Sequence, residues 1–141
     1  RDALWVNDSI ATAPERVIAA LASFDESIIL LAGGRDKDLE WEEMAQRIVE
    51  RVRILITFGE VGPLIREHVL RAWVQAQQEG TPVTLMESVP VGPLSAAVQA
   101  ATARARPGEV VLLSPGGTSF DEFKDFAERG EHFRALVEDF R

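Results

Sequence analysis

The chain has 141 residues, 46% of them apolar, and a net charge of −8 from 15 Lys and Arg against 23 Asp and Glu. That length suits one domain, spanning residues 1–141, with a real core, and an acidic balance with no basic patch speaks against a nucleic-acid partner. With no cysteine there is no disulfide framework, thiolate metal site or thiol nucleophile; no apolar run reaches the roughly 18 residues of a membrane span.

Strands and helices alternate along the chain. Leu4-Trp5-Val6 reads as a short strand. Pro14 suits a first helical turn, where its missing N–H costs nothing, and Val17, Ile18 and Leu21 give that helix one apolar face. The run 28–32 is continuously apolar, as in a strand buried on both sides, and Gly33-Gly34 ends it. Trp41, Met44, Ala45, Ile48 and Val52 recur at helical spacing. A third strand is predicted at 53–58, then a helix carrying Leu64, Ile65, Val69, Ala72 and Trp73 with Gly80 as its stop. A fourth, shorter strand is predicted at 82–86, an Ala-rich helix at 94–105 and a fifth strand at 109–113. Ser119 is expected to open a helix bearing Phe120, Phe123 and Phe126; Gly130 should break it, and Phe133, Leu136, Val137 and Phe140 should form a last amphipathic helix. The pattern predicts an α/β, Rossmann-like three-layer domain: a mostly parallel sheet of five or six strands with helices on both faces.

Three segments stand where a strand gives way to a helix: NDSIATAP at 7–14, LLAGGRDKD at 30–38 and LLSPGGTSFDEFKDF at 112–126. In a parallel sheet such ends open on one edge, where ligands bind. Ser119 and Glu122 fit a capping box. The same helix start would offer N–H donors and a positive dipole end to an anion, with Gly116 and Gly117 letting a ligand approach the backbone. Gly33-Gly34 fits a tight turn. It is neither a dinucleotide fingerprint nor a P-loop. Lys37 just beyond it is either solvated or a point charge for a carboxylate or phosphate. Thr12 can cap the first helix, and Asp8 and Ser9 can serve the turn or contact a ligand. His68 and His132 have no partner at metal-ligand spacing and read as surface or boundary residues. The Trp and Phe residues read as core, with Phe120 and Phe126 as exceptions.

At these segments the chain resembles the C-terminal domain of the Mur ligases, most of all the D-glutamate-adding type. The family's D-S-K-A-T-N-P aligns without a gap on Asp8-Ser9-Ile10-Ala11-Thr12-Ala13-Pro14. Its G-G-x-D-K matches Gly33-Gly34-Arg35-Asp36-Lys37. Its L-S-P-A-C-A-S-F-D-x-F-K-x-F-x-x-R-G matches 113–130, with Gly116-Gly117-Thr118 in place of Ala-Cys-Ala. The resemblance spans essentially the whole chain. It implies that Thr12, Lys37, Ser119, Phe120 and Phe126 surround D-glutamate, and that Asp8 and Ser9 face the nucleotide. It implies a cytoplasmic, monomeric ligase of peptidoglycan synthesis. In that reaction ATP, with Mg, activates the carboxylate of UDP-N-acetylmuramoyl-L-alanine to an acyl phosphate, which the D-glutamate amine attacks. The P-loop, magnesium ligands and carbamylated lysine would lie on a central domain. Because the chain begins almost inside its first motif, it reads as an excised domain, inactive alone. Ile10 replaces the motif's Lys and Ala13 its Asn.

Two other readings stay open. One is the C-terminal domain of another Mur or folylpolyglutamate-type ligase, whose first motifs bear His or Asn, absent from 8–14. The other is a free-standing flavodoxin-like binding domain. A receiver domain would need an Asp ending the third strand, where Thr57-Phe58-Gly59 stands.

Overall fold

The buried apolar runs become the central strands of a parallel sheet. The computed structural model describes residues 3–35 and 39–140. In chain order these form β1 (Leu4–Asn7), α1 (Pro14–Leu21), β2 (Ile28–Gly33), α2 (Glu42–Arg51), β3 (Val52–Phe58), α3 (Gly62–Glu79), β4 (Glu87–Pro90), α4 (Leu94–Arg104), β5 (Val110–Gly116) and α5 (Phe126–Phe140). The strand order is β1-β5-β2-β3-β4, and every pairing is parallel. The predicted α/β class and parallel sheet are therefore present, with five strands.

Strands β2 and β5 are buried along their whole length, so both sheet faces must be covered. Their side chains alternate between two cores. Ile28, Leu30, Val110 and Leu112 pack with Val17, Leu21, Ile48, Ile65 and Val69 from α1, α2 and α3. Ile29, Leu31, Val111 and Leu113 pack with Leu94, Val98, Phe133 and Val137 from α4 and α5. Gly80, with φ of 71°, ends α3 in the left-handed region as a helix stop does.

Two expectations need correction. The fourth strand lies at Glu87–Pro90, not at 82–86. Its register is set by β3, with Ile54 opposite Glu87 and Thr57 opposite Pro90. As an edge strand it carries polar residues that hid it from a hydrophobic reading. The C-terminal region holds one helix, α5, not two. Gly130 sits inside it because a Cβ there would lie 3.1 Å from the Asn7 side chain and 3.2 Å from Ser9 Cβ. That glycine permits close packing of helix on loop rather than ending the helix.

At the amino end of the sheet, away from the three motifs, Glu109 is 4% exposed. It accepts from Arg53 Nε at 2.6 Å and Nη2 at 2.8 Å, from Ser27 Oγ at 2.8 Å and from Arg106 N at 2.8 Å. Burial pushes its carboxyl up. The bonds from Arg53, Ser27 and Arg106 outweigh that and hold it below the ordinary range.

Candidate functional site

The carboxyl ends of β1, β5 and β2 are neighbours, so the three motifs do share one edge. After β2 the chain turns to α2 on one face; after β5 it runs to α5 on the other. Adjacent strands whose connections diverge in this way mark the switch point where open α/β sheets bind ligands.

The loops after β2 and β5 are laced backbone to backbone. Arg35 N donates to Thr118 O (2.9 Å), Thr118 N to Arg35 O (3.0 Å) and Gly117 N to Gly33 O (3.2 Å). This explains the glycines. A Cβ on Gly34, whose φ is +104°, would lie 2.1 Å from Thr118 O, and one on Gly117 2.6 Å from Gly33 O. Gly116 and Gly117 are buried: Gly117 serves the contact between loops and Gly116 makes room for Trp41, Met44 and Val17, so neither gives an open approach to the backbone. Gly34→Ala is expected to lower stability by about 2–4 kcal/mol, because it combines a strained backbone with a backbone clash. Urea unfolding measures this; a loss within a few tenths of a kcal/mol would contradict the lacing. Lys37 lies outside the described residues.

The helix expected at Ser119 does not form. Residues 119–125 make a turn, with Phe123 N donating to Ser119 O at 2.8 Å. The capping pair stands further on. Asp125 Oδ1 accepts from Glu128 N at 2.8 Å, and Glu128 Oε1 from Lys124 N at 3.0 Å, at the start of α5. Glu122 instead accepts from Leu94 N at 3.1 Å, capping α4 from a distance. Its neighbour Asp121 accepts from Glu60 N at 3.1 Å. Burial, helped by the Asp121 charge, raises the Glu122 carboxyl above its ordinary range against the bond from Leu94. Without a helix start at Ser119, the dipole argument for an anion there lapses. What the turn does is hold Ser119 buried and leave Phe120 51% exposed at the edge.

The loop after β1 closes against both. Asp8 accepts from Ser114 Oγ at 2.9 Å on β5, and it borders a recess of 370 Å³ lined also by Asn7, Arg16 and Phe24. Ser9 is buried, and its hydroxyl donates to Phe126 O at 2.7 Å. Thr12 is half-buried and does not cap α1, whose first flanking residue is Ala13 with no side-chain cap. It follows Ala11, whose carbonyl accepts from Gly116 N at 2.8 Å. Phe126 is 43% exposed.

Arg129, a fixed letter of the third motif to which the sequence assigned no role, organises this edge. Its side chain is fully buried. Nε donates to Ser9 Oγ at 3.1 Å, Nη2 to Ser9 O at 2.9 Å and Nη1 to Gly117 O at 3.1 Å. Burial pushes the guanidinium down to about 10, opposed by the charges of Asp121 and Glu122, so it stays a cation at neutral pH. The available signal was its match to the arginine of the third motif, directly before Gly130.

The edge thus offers the half-buried Thr12 and the exposed rings of Phe120 and Phe126 over buried serines and a buried cation. Among the described residues no group of three or more His, Asp or Glu could hold a metal, and the sequence has no phosphate-cradling loop. These residues do not by themselves fit a metal-bound triphosphate. No helix among the described residues is long and apolar enough to cross a membrane.

Comparison with known proteins bears on this geometry. Residues 1–117 match the family described as Mur ligase, glutamate ligase domain. The UDP-N-acetylmuramoylalanine–D-glutamate ligase of Acetivibrio thermocellus is 40% identical over 94% of this chain and 28% of its own length. That of Symbiobacterium thermophilum is 39% identical over 95% of this chain and 27% of its length. The chain therefore spans little more than a quarter of these relatives. Among solved structures, the MurF ligase of Thermotoga maritima in complex with ADP covers 96% of this chain with 28% of its own, at a TM-score of 0.55 and 17% identity. At that identity the likeness concerns the fold alone.

Proposed function

The chain belongs to the Mur ligase glutamate ligase domain family, and from that premise we propose that residues 1–141 are the D-glutamate-binding, C-terminal domain of an ATP-dependent ligase. The whole enzyme would join D-glutamate to UDP-N-acetylmuramoyl-L-alanine in peptidoglycan synthesis. The observation that carries this is the meeting of the three motif loops at one switch point, in a chain 40% identical to a D-glutamate ligase along 94% of its length.

In this reading ATP transfers its terminal phosphoryl group to the muramoyl-alanine carboxylate, giving an acyl phosphate and ADP. The D-glutamate amine attacks the acyl carbon and phosphate leaves. This chain's part is to hold the amino acid. Lys37 would meet a carboxylate as a point charge, Thr12 and Ser119 would supply hydroxyls, and Phe120 and Phe126 would flank the aliphatic stem. Asp8 and Ser9 would face the nucleotide. The triphosphate and its magnesium would be bound mainly by a central domain. The protein would act as a cytoplasmic monomer with no nucleic-acid or membrane partner, and this chain alone would be inactive.

An NMR titration of the chain with D-glutamate tests the reading. Amide resonances of Thr12, Lys37, Ser119 and Phe120 are expected to shift, with weak affinity because domain closure completes such sites. Shifts clustered around His68 on α3, or none at all, would overturn it.

A further inference from the structure

The turn at 119–125 carries two of the proposed glutamate contacts, yet it is neither helix nor strand. Its own backbone bonds, from Glu122 N and Phe123 N to Ser119 O, close the turn, and side chains must anchor it to the rest of the fold. Two adjacent carboxylates do so, and they reach different layers of the fold. Asp121 Oδ2 takes the N–H of Glu60, in the connection between β3 and α3. That oxygen lies only 2.3 Å from where a Cβ on Gly59 would stand. Glu122 takes the N–H of Leu94, the first residue of α4, at 3.1 Å through Oε2 and 3.4 Å through Oε1. Helix α4 has no side-chain cap of its own at Pro93. Helix α3 packs on one face of the sheet and α4 on the other. The Asp-Glu dipeptide therefore spans the open end of the sheet from layer to layer. It stands directly after Ser119 and Phe120.

We propose that Asp121 and Glu122 are the positioning pair of the glutamate-binding edge: bound to the β3–α3 connection and to the first turn of α4, they fix the turn that sets Ser119 and Phe120. The proposal rests on the function proposed above for Ser119 and Phe120. It assigns the pair no contact with the ligand. Carboxylate-to-backbone bonds are charge-assisted and stronger than neutral ones. Two of them, at successive residues, leave the intervening backbone little freedom.

The test uses the 141-residue chain, isotope-labelled, with Asp121→Ala, Asp121→Asn, Glu122→Ala and Glu122→Gln. Amide exchange is followed at Glu60, Leu94, Ser119 and Phe120, and D-glutamate affinity is measured by titration. The Ala variants are expected to speed exchange at Glu60 or Leu94, to move the Ser119 and Phe120 resonances before any ligand is added, and to raise the D-glutamate Kd about tenfold. Asn and Gln keep an acceptor oxygen without the charge, so they should fall between Ala and the unmodified chain. Ser27→Ala separates positioning from stability: it removes a donor to Glu109 at the far end of the sheet, and should lower Tm while leaving the Kd alone. Unmoved Ser119 and Phe120 amides in both Ala variants would overturn the proposal, as would an unchanged Kd. If the unmodified chain shows no response to D-glutamate, the proposed function falls. The pair is then judged on the ligand-free Ser119 and Phe120 amides: displaced, they uphold the positioning role; unmoved, they end it.

Discussion

Arg129→Ala is expected to destabilise the chain by about 3 kcal/mol or more and to erase the D-glutamate response at Thr12 and Ser119 together. The guanidinium is fully buried and feeds three oxygens, Ser9 Oγ, Ser9 O and Gly117 O. Truncation leaves all three without that donor, at about 1–3 kcal/mol for each that stays dry, and opens a cavity besides. Against this stands the relief of no longer burying a cation, whose cost shows in the lowered guanidinium pKa of about 10. Arg129→Met separates the two effects. It restores most of the volume and removes the charge, but supplies no donor. If unmet acceptors dominate, Met recovers only the packing part of the loss and the glutamate response stays absent. Full recovery of stability and binding in Met would show that the buried cation was only a tolerated burden. Urea unfolding and the titration decide.

Breaking the buried pair at the other end of the sheet should cost as much without touching the site. Arg53→Ala leaves Glu109, 4% exposed, with its charge largely unmatched; such removals cost about 3–5 kcal/mol. The loss should depend on pH. Net hydrogen bonding holds the Glu109 carboxyl below its unfolded value. Its contribution is therefore present above the ordinary glutamate range of about 4.3 and lost as pH falls through the depressed folded value. The stability gap between the intact chain and Arg53→Ala should accordingly be widest near neutral pH and narrow in acid. A gap that stays constant down to acid unfolding would mean that the ion pair is not its source. D-glutamate shifts should persist in this variant wherever it remains folded, in contrast to Arg129→Ala.

The sheet was legible because β2, β3 and β5 are nearly uninterrupted apolar runs, and only a parallel sheet covered on both faces buries such runs. The edge strand β4 was not, since Glu87 and Ser88 take their strand geometry from pairing with Ile54 and Leu55 rather than from burial. The location of the site followed from topology: three strand ends on one edge. Its internal wiring did not. The S-x-x-E at Ser119 has the local form of a capping box, but Glu122 is bound to Leu94, 28 residues away, and the working cap is Asp125 with Glu128. Gly130 has the local form of a helix stop, yet it answers to Asn7 and Ser9 on the first loop. In each case a long-range partner overrode a local signal, and one sequence does not name such partners.

The ties of Ser9 to Phe126 and Arg129 join residues 117 and 120 positions apart, which gives assembly of this edge an order in time. Strands β2 and β3 can pair as soon as both have emerged during synthesis. The first loop has to wait for β5, where Leu113 O accepts from Asp8 N and Gly116 N donates to Ala11 O, and then for α5, before its backbone is fully held. Contacts of such separation form late, because loop-closure entropy must be met before they stabilise anything. A nascent or clipped chain lacking residues 126–140 would thus keep much of its central sheet while leaving the first loop without the ties of Ser9 to Phe126 and Arg129. Binding competence would then be the last property this domain acquires, and the first it loses when α5 is cut away.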